Sequence, residues 1–256
     1  MATFLFNEII FGPVSSRRLG VSLGINLLPV DKKYCNFDCL YCECGWTCNT
    51  MVSASELPSR ESVKILLTSK LREMDPPPDV ITFAGNGEPT VHPEFPGIID
   101  DTIELRNKIC PKTRIAVLSN STNLGKKSVY ESLQKVDQPI LKLDTAIENS
   151  YRLINRPAGL TLLEETIMHL AEFGDHLIIQ TLFFRGSYNG QIVDNTTEQE
   201  LSSLISAYKR ILPGKVMIYT FERDTPLHSL EKIPMEELKQ IGERIKAAGF
   251  PVEISG

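Results

Sequence analysis

The stretch from residue 80 to residue 119 has the sequence VITFAGNGEPTVHPEFPGIIDDTIELRNKICPKTRIAVLS. It begins with an apolar run at 80–84 and ends with another at 114–119, and residues 97–108 between them have helical spacing. Near-continuous apolar strands joined by helices are typical of a parallel sheet whose faces are covered. The stretch therefore predicts one β-α-β unit of a parallel α/β fold.

The same alternation continues on both sides of this unit. Strand patterns occur at residues 21–30, 80–84, 114–119, 140–143, 177–184 and 216–221. Helical patterns occur at residues 55–74, 97–108, 126–136, 161–173, 198–212 and 234–248. About six β-α units are fewer than the eight of a complete barrel, so we expect a partial (β/α)6 barrel in one domain, residues 1–256, with an N-terminal extension at 1–20. Ligand sites in such folds lie at the carboxyl ends of the strands.

The composition excludes several classes of protein. Apolar residues make up 42% and charged residues 23%, as in ordinary globular domains, and no apolar run is long enough to span a membrane. Glu8 interrupts the apolar start of the chain, which makes a poor signal peptide, so we expect a cytoplasmic protein. The net charge of −5 and the lack of clustered Lys and Arg argue against an extended nucleic-acid groove.

Five of the six cysteines lie between positions 35 and 48, which indicates metal binding rather than disulfides. Cys35, Cys39 and Cys42 have the spacing Cys-x3-Cys-x2-Cys. A closed zinc site takes four ligands, whereas a [4Fe–4S] cluster held by three cysteines leaves one iron open to another ligand. A zinc site that adds Cys44 or Cys48 is the alternative. These two cysteines could also bind a second metal, tune the cluster or have no role.

The cysteine spacing, with Tyr41 directly before the third cysteine, resembles the signature of the radical S-adenosylmethionine (SAM) superfamily. The resemblance implies a [4Fe–4S] cluster on Cys35, Cys39 and Cys42 in a binding loop at 31–50, with SAM on the open iron. It also implies an external electron donor of the flavodoxin or ferredoxin type. Reductive cleavage of SAM would give methionine and a 5′-deoxyadenosyl radical that abstracts hydrogen from the substrate.

The resemblance further implies that residues at the strand ends bind SAM. The turn after the second predicted strand resembles the family's Gly-Gly-Glu-Pro motif, which binds the SAM amino group, with Asn86 in place of the first glycine of that motif. The candidates in this turn are Gly85, Asn86, Gly87, Glu88 and Pro89. Ser119 and Asn120, after the third strand, are candidates for the ribose; this segment could instead cap the next helix.

The remaining SAM candidates are one residue of the cysteine loop and four residues on or after the later strands. They are Tyr41, Asp144, Arg156, Gln180 and Tyr219. Arg156 could pair with the SAM carboxylate or, alternatively, cap a helix at the surface. Gln180 and Tyr219 could line the pocket or belong to the core.

The branch of the superfamily is indicated by residues 12–20, 24–26, 87–90 and 155–157, which resemble wyosine tRNA-base synthase-like proteins. Arg17, Arg18 and Asn155 are the candidates for substrate binding, and the two arginines are expected to precede the first strand and to reach over the barrel mouth. Wyosine synthases carry a second cluster on cysteines upstream of the signature, whereas no cysteine here precedes Cys35.

This departure and the acidic charge favour a small substrate over a whole tRNA. A modified nucleoside or its phosphate, as in a queuosine lyase-like enzyme that releases queuine, fits the size of the chain. The alternatives are a wyosine synthase-like tRNA enzyme, a glycyl-radical activase, and a non-catalytic metal-stabilised module that binds a nucleotide.

Overall fold

The computed structural model describes residues 4–16, 18–48 and 52–255. Its strands are β1 (Ile10–Ser16), β2 (Gly20–Ile25), β3 (Val80–Phe83), β4 (Arg114–Ser119), β5 (Gln138–Lys142), β6 (Ile178–Leu182), β7 (Phe184–Tyr188), β8 (Gln191–Asp194), β9 (Lys215–Tyr219), β10 (Leu230–Lys232) and β11 (Val252–Ser255). Its helices are α1 (Arg60–Glu73), α2 (Phe95–Ile109), α3 (Lys127–Gln134), α4 (Glu148–Ile154), α5 (Leu163–Ala171), α6 (Glu198–Ile211) and α7 (Met235–Ala247).

The main sheet has eight strands in the order β1-β2-β3-β4-β5-β6-β9-β11. All neighbours pair in parallel except β1 and β2, which are antiparallel. The sheet curls into a half-barrel, and the prediction of an α/β partial (β/α)6 barrel is confirmed. A second, smaller sheet has the order β10-β7-β8. No helix among the described residues is long and apolar enough to cross a membrane.

Both faces of the parallel strands are buried, which explains their near-continuous apolar sequence. On β3, Ile81 belongs to the large core between the sheet and the helices, whereas Val80 belongs to a smaller core inside the barrel. Successive strand residues point to opposite faces, so this alternation is expected. Leu67 of α1 and Leu204 of α6 are fully buried in the outer core.

Several predicted boundaries are wrong. The strand predicted at 21–30 ends at Ile25, because the Asn26 side chain forms a turn through hydrogen bonds with the backbone of Leu28. The strand predicted at 177–184 is divided into β6 and β7, which belong to different sheets. The helix predicted to begin at residue 55 begins at Arg60, after a 3-10 turn at Ala54–Glu56.

The N-terminal extension contains a strand that sequence reasoning missed. Residues Ile10–Ser16 form β1, so the two candidate arginines follow the first strand instead of preceding it. Arg18 lies in the turn that leads into β2, and Arg17 lies outside the described residues. The helix α4 and the edge strand β11 were likewise not predicted.

Candidate active site

A cavity of about 540 Å³ opens where the strands of the half-barrel end. Its wall is formed by the cysteine loop, the turn after β3 and the ends of β4, β5, β6 and β9. The predicted site residues that line it are Arg18, Cys35, Cys39, Tyr41, Cys42, Gly85, Gly87, Glu88, Ser119, Asn120, Gln180 and Tyr219. Asn86, Pro89, Asp144, Asn155 and Arg156 are not in this wall.

The three signature cysteines face this one cavity, and a hydrogen-bond donor reaches each of them. The backbone N–H of Phe37 donates to Cys35 Sγ at 3.3 Å, and Asn155 Nδ2 donates to Cys39 Sγ at 3.5 Å. Burial raises the pKa of Cys35 to about 12 and also raises that of Cys39, whereas a hydrogen bond with Cys44 lowers the pKa of Cys42 to about 5. Three thiols with supporting donors fit a [4Fe–4S] cluster held by three cysteines.

The two further cysteines of the loop differ in position. Cys44 lines the cavity, and its thiol donates to the Gly85 carbonyl at 3.6 Å. Cys48 is outside the cavity wall, and its backbone N–H donates to the Lys33 carbonyl. Within the described ranges, no three Cys, His, Asp or Glu side chains are placed to hold a single metal ion.

Lys33 is a site residue that sequence reasoning missed. Its side chain is 2% exposed, and Nζ donates to the Gly45 carbonyl at 3.1 Å and lies 3.5 Å from Asp38. Burial lowers the pKa of Lys33, but the negative charges of the Cys42, Cys35 and Cys39 thiolates and of the Asp38 carboxylate outweigh it, so the pKa is raised overall. Lys33 therefore holds a positive charge beside the three cluster ligands. The only signal in the sequence is its place two residues before Cys35.

Replacement of this charge should change the redox behaviour of the reconstituted protein. Lys33→Met is expected to lower the reduction potential of the bound cluster by about 59 mV, a tenfold change in a one-electron equilibrium, because the reduced form carries the extra negative charge. Potentiometric titration followed by electron paramagnetic resonance measures the shift. Lys33→Arg and Lys32→Met are the controls, since Lys32 pairs with Glu56 at the surface. A potential equal to that of the wild type would contradict this role of Lys33.

The turn after β3 is joined to the cysteine loop by backbone contacts. The Tyr34 N–H donates to the Asn86 carbonyl at 2.8 Å, and the Glu88 N–H donates to the Tyr34 carbonyl at 3.2 Å. Gly87 has φ +143°, and a Cβ at this position would collide with the Tyr34 carbonyl. The glycine is therefore required by the close approach of two protein segments.

The Asn86 side chain stabilises this turn through hydrogen bonds to the protein backbone. It is fully buried; its amide donates to the Pro29 and Phe6 carbonyls at 2.8 and 2.9 Å, and its side-chain oxygen accepts from the Phe6 N–H at 2.8 Å. All its side-chain hydrogen-bonding groups thus have protein partners. Pro89 begins a short 3-10 turn behind the cavity.

Glu88 connects the turn after β3 to the end of β4. Its carboxylate accepts from Ser119 Oγ at 2.8 Å, from the Asn120 N–H at 2.6 Å and from Thr90 Oγ1 at 2.6 Å. Burial raises the pKa of Glu88, and these hydrogen bonds oppose that shift. The carboxylate is fixed at the cavity wall, beside Ser119 and Asn120.

A buried polar network supports the opposite wall. Lys142 Nζ lies 3.3 Å from Asp144 Oδ2, and the Tyr41 hydroxyl is hydrogen-bonded to both side chains. Asn155 Nδ2 donates to Asp144 Oδ2 at 2.7 Å as well as to Cys39 Sγ. Asp144 and Asn155 thus lie behind the wall and orient Tyr41, Lys142 and Cys39, which form it.

Arg156 lies on the outer side of the cysteine loop. Its guanidinium is 3.6 Å from Asp38 and stacks over Trp46 and Tyr188, with Cζ 5.0 and 5.3 Å from the two ring centres. Cation–π contacts of this kind stabilise packed segments. This placement holds the loop against β7 and leaves Arg156 outside the cavity.

Residues 32–194 match the radical SAM superfamily, and the chain belongs to this superfamily. Its cofactors are a [4Fe–4S] cluster and SAM, as predicted. The chain is similar to UPF0026 proteins: it is 30% identical to one from Synechocystis over 226 residues, 85% of this chain and 77% of the relative. It is 29% identical to one from Methanocaldococcus jannaschii over 221 residues, 83% of this chain, and spans only 63% of that relative's length.

The fold is shared with solved structures of low sequence identity. SuiB of Streptococcus suis, in complex with the precursor peptide SuiA, aligns with a TM-score of 0.64 at 16% identity. The alignment covers 91% of this chain and 48% of SuiB. This likeness shows the common barrel architecture.

Proposed function

We propose that the chain is a radical SAM enzyme in which Cys35, Cys39 and Cys42 bind the cluster and the substrate is a small molecule. The observation that supports this is the convergence of the three thiols on one cavity of about 540 Å³, a volume typical of small-molecule sites. When bound, the cluster and SAM supply a one-electron reductive cleavage that gives methionine and a 5′-deoxyadenosyl radical.

The surrounding residues have distinct roles in this proposal. Gly85, Gly87 and Glu88 bind the SAM amino group, and Ser119 and Asn120 bind the ribose. The walls of the half-barrel keep water away from the reacting atoms. An external electron donor of the flavodoxin or ferredoxin type docks near the cysteine loop.

We propose a modified nucleoside or nucleotide as the substrate, with a queuosine lyase-like release of queuine as the first reaction to test. Gln180 and Tyr219, which were predicted as SAM contacts, both line the cavity and offer an amide and an aromatic ring, groups that suit a base, whether the adenine of SAM or the base of a nucleoside substrate. The net charge of −5 favours such a small substrate over a whole tRNA.

The test is anaerobic reconstitution with iron and sulfide, followed by dithionite and SAM, with 5′-deoxyadenosine measured by chromatography. We expect cluster-dependent 5′-deoxyadenosine, and release of queuine when queuosine is added. A protein that takes up one zinc, lacks iron–sulfur absorbance and never cleaves SAM would refute the enzyme and favour the metal-stabilised module. SAM cleavage without queuine release would refute only the queuosine reaction.

A further inference from the structure

The turn between β1 and β2 closes the barrel at the end opposite the cysteines. Leu19 packs inside the barrel against a small core that includes Val80 of β3 and Ile178 of β6. The buried strand residues of this core all lie within the first three positions of their strands. Arg18, the neighbouring residue, lines the same cavity as the cysteines, and its Cζ lies 4.6 Å from the ring centre of Tyr219. The Arg18 side chain therefore extends from this turn to Tyr219, the last residue of β9, and forms part of the cavity wall.

The other cations of this cavity already have anionic partners. Lys33 lies by the cluster thiols and Asp38, Lys142 pairs with Asp144, and Arg223 Nη1 is 3.0 Å from Glu43. The Glu43 carboxylate also accepts from two backbone N–H groups, at residues 222 and 223. Arg18 is the remaining cation among the described residues of the cavity wall.

Arg18 has no such partner in the part of the chain that the structure describes. Its guanidinium forms no ion pair there, and Nη1 is buried without a hydrogen-bond partner. A buried donor without a hydrogen-bond partner is energetically unfavourable, and a bound ligand that accepts from this nitrogen would remove the penalty. The Ser16 hydroxyl, which accepts from the Arg18 and Leu19 N–H groups, fixes the turn that carries it.

We propose that Arg18, held against the ring of Tyr219, binds an anionic oxygen group of the substrate, a phosphate or a carboxylate. A guanidinium forms paired hydrogen bonds with such a group, and stacking on an aromatic ring fixes its plane. The inference rests on the proposed function, in which SAM and the substrate share the cavity that Arg18 lines. It narrows the proposed substrate class, a nucleoside or a nucleotide, to anionic compounds such as nucleotides.

The test compares guanosine 5′-monophosphate with guanosine as probes of the reconstituted, SAM-loaded protein by equilibrium dialysis. We expect the wild type to bind the monophosphate at least tenfold more tightly than guanosine. Arg18→Gln should remove this preference and leave the Kd of SAM unchanged, and Arg18→Lys should retain part of it. Arg223→Gln, at the same cavity but on a residue paired with Glu43, is the matched control and should keep the full preference.

Two results would overturn the assignment. One is that the wild type binds guanosine 5′-monophosphate and guanosine with equal affinity, or binds neither. The other is a loss of SAM affinity in Arg18→Gln without a change in the preference for the phosphate, which would assign Arg18 to the SAM carboxylate. Iron content and the circular dichroism spectrum report whether each variant is folded. Formation of 5′-deoxyadenosine by the wild type is measured separately, so failure of the proposed function is distinguished from failure of this site.

Discussion

Alanine in place of Cys35, Cys39 or Cys42 is expected to lower 5′-deoxyadenosine formation by more than about 100-fold. Loss of a residue that only supports a metal ligand costs up to about 100-fold, so loss of a ligand itself should cost more. Each of the three variants removes one thiolate from the set of three that the proposed cluster requires. The cavity places the three thiols together, so the loss should be similar for each. Iron and sulfide content, the absorbance spectrum and 5′-deoxyadenosine are measured on the same reconstituted samples.

The other cysteines provide the controls for this experiment. Cys110 is buried at the end of α2, outside the cavity, and Cys110→Ala should keep its iron and its SAM cleavage. Cys44→Ser should also keep the cluster, although it removes the thiol next to Cys42. A full complement of iron together with wild-type SAM cleavage in Cys35→Ala, Cys39→Ala or Cys42→Ala would contradict the assignment of that cysteine as a ligand.

Asp144→Ala is expected to lower the free energy of unfolding by about 3–5 kcal/mol, the usual result of breaking one side of a buried ion pair. Asp144 is 2% exposed and accepts hydrogen bonds from Tyr41, from Asn155 and from the Leu182 N–H. Its removal leaves the Lys142 charge uncompensated in the cavity wall. Thermal unfolding should show a decrease in Tm of about 6–20 °C for a chain of this size.

The double variant Lys142→Met/Asp144→Asn separates the charge from the packing. It removes both charges, so we expect it to recover part of the stability that Asp144→Ala loses. Asp100→Ala is the surface control: Asp100 pairs with Lys135, and both side chains are about half exposed, so the change should be within about 1 kcal/mol. An Asp144→Ala variant as stable as this control would show that the pair carries no structural role.

The parts of the site that depend on local spacing could be predicted from the sequence. Three cysteines in an eight-residue segment can face a common point, and the Gly-Asn-Gly turn after a buried strand indicates a close backbone approach, which was expected toward a ligand and occurs toward Tyr34. The main strands and helices followed from their apolar periodicity. Strand β1 was missed because Gly12 and Pro13 interrupt its apolar pattern.

Features that depend on long-range packing could not be predicted from the sequence. The burial of Lys33 follows from its enclosure by the cysteine loop, and a lone lysine is ordinarily assigned to the surface. Arg156 and Asn86 have the polar groups expected of SAM ligands, yet their partners are Trp46 in one case and the Phe6 backbone in the other. Only the folded structure shows which neighbouring group a polar side chain contacts.

The contact between Tyr34 and Gly87 makes the cysteine loop and the turn after β3 a single structural unit. Because a side chain at residue 87 would displace the Tyr34 carbonyl, the position of the metal ligands depends on a residue that carries no functional group. The two halves of the cofactor site should then become ordered together and exchange their amide hydrogens as one cooperative segment. The motif glycine that lines the cavity therefore also fixes two loops of the protein against one another.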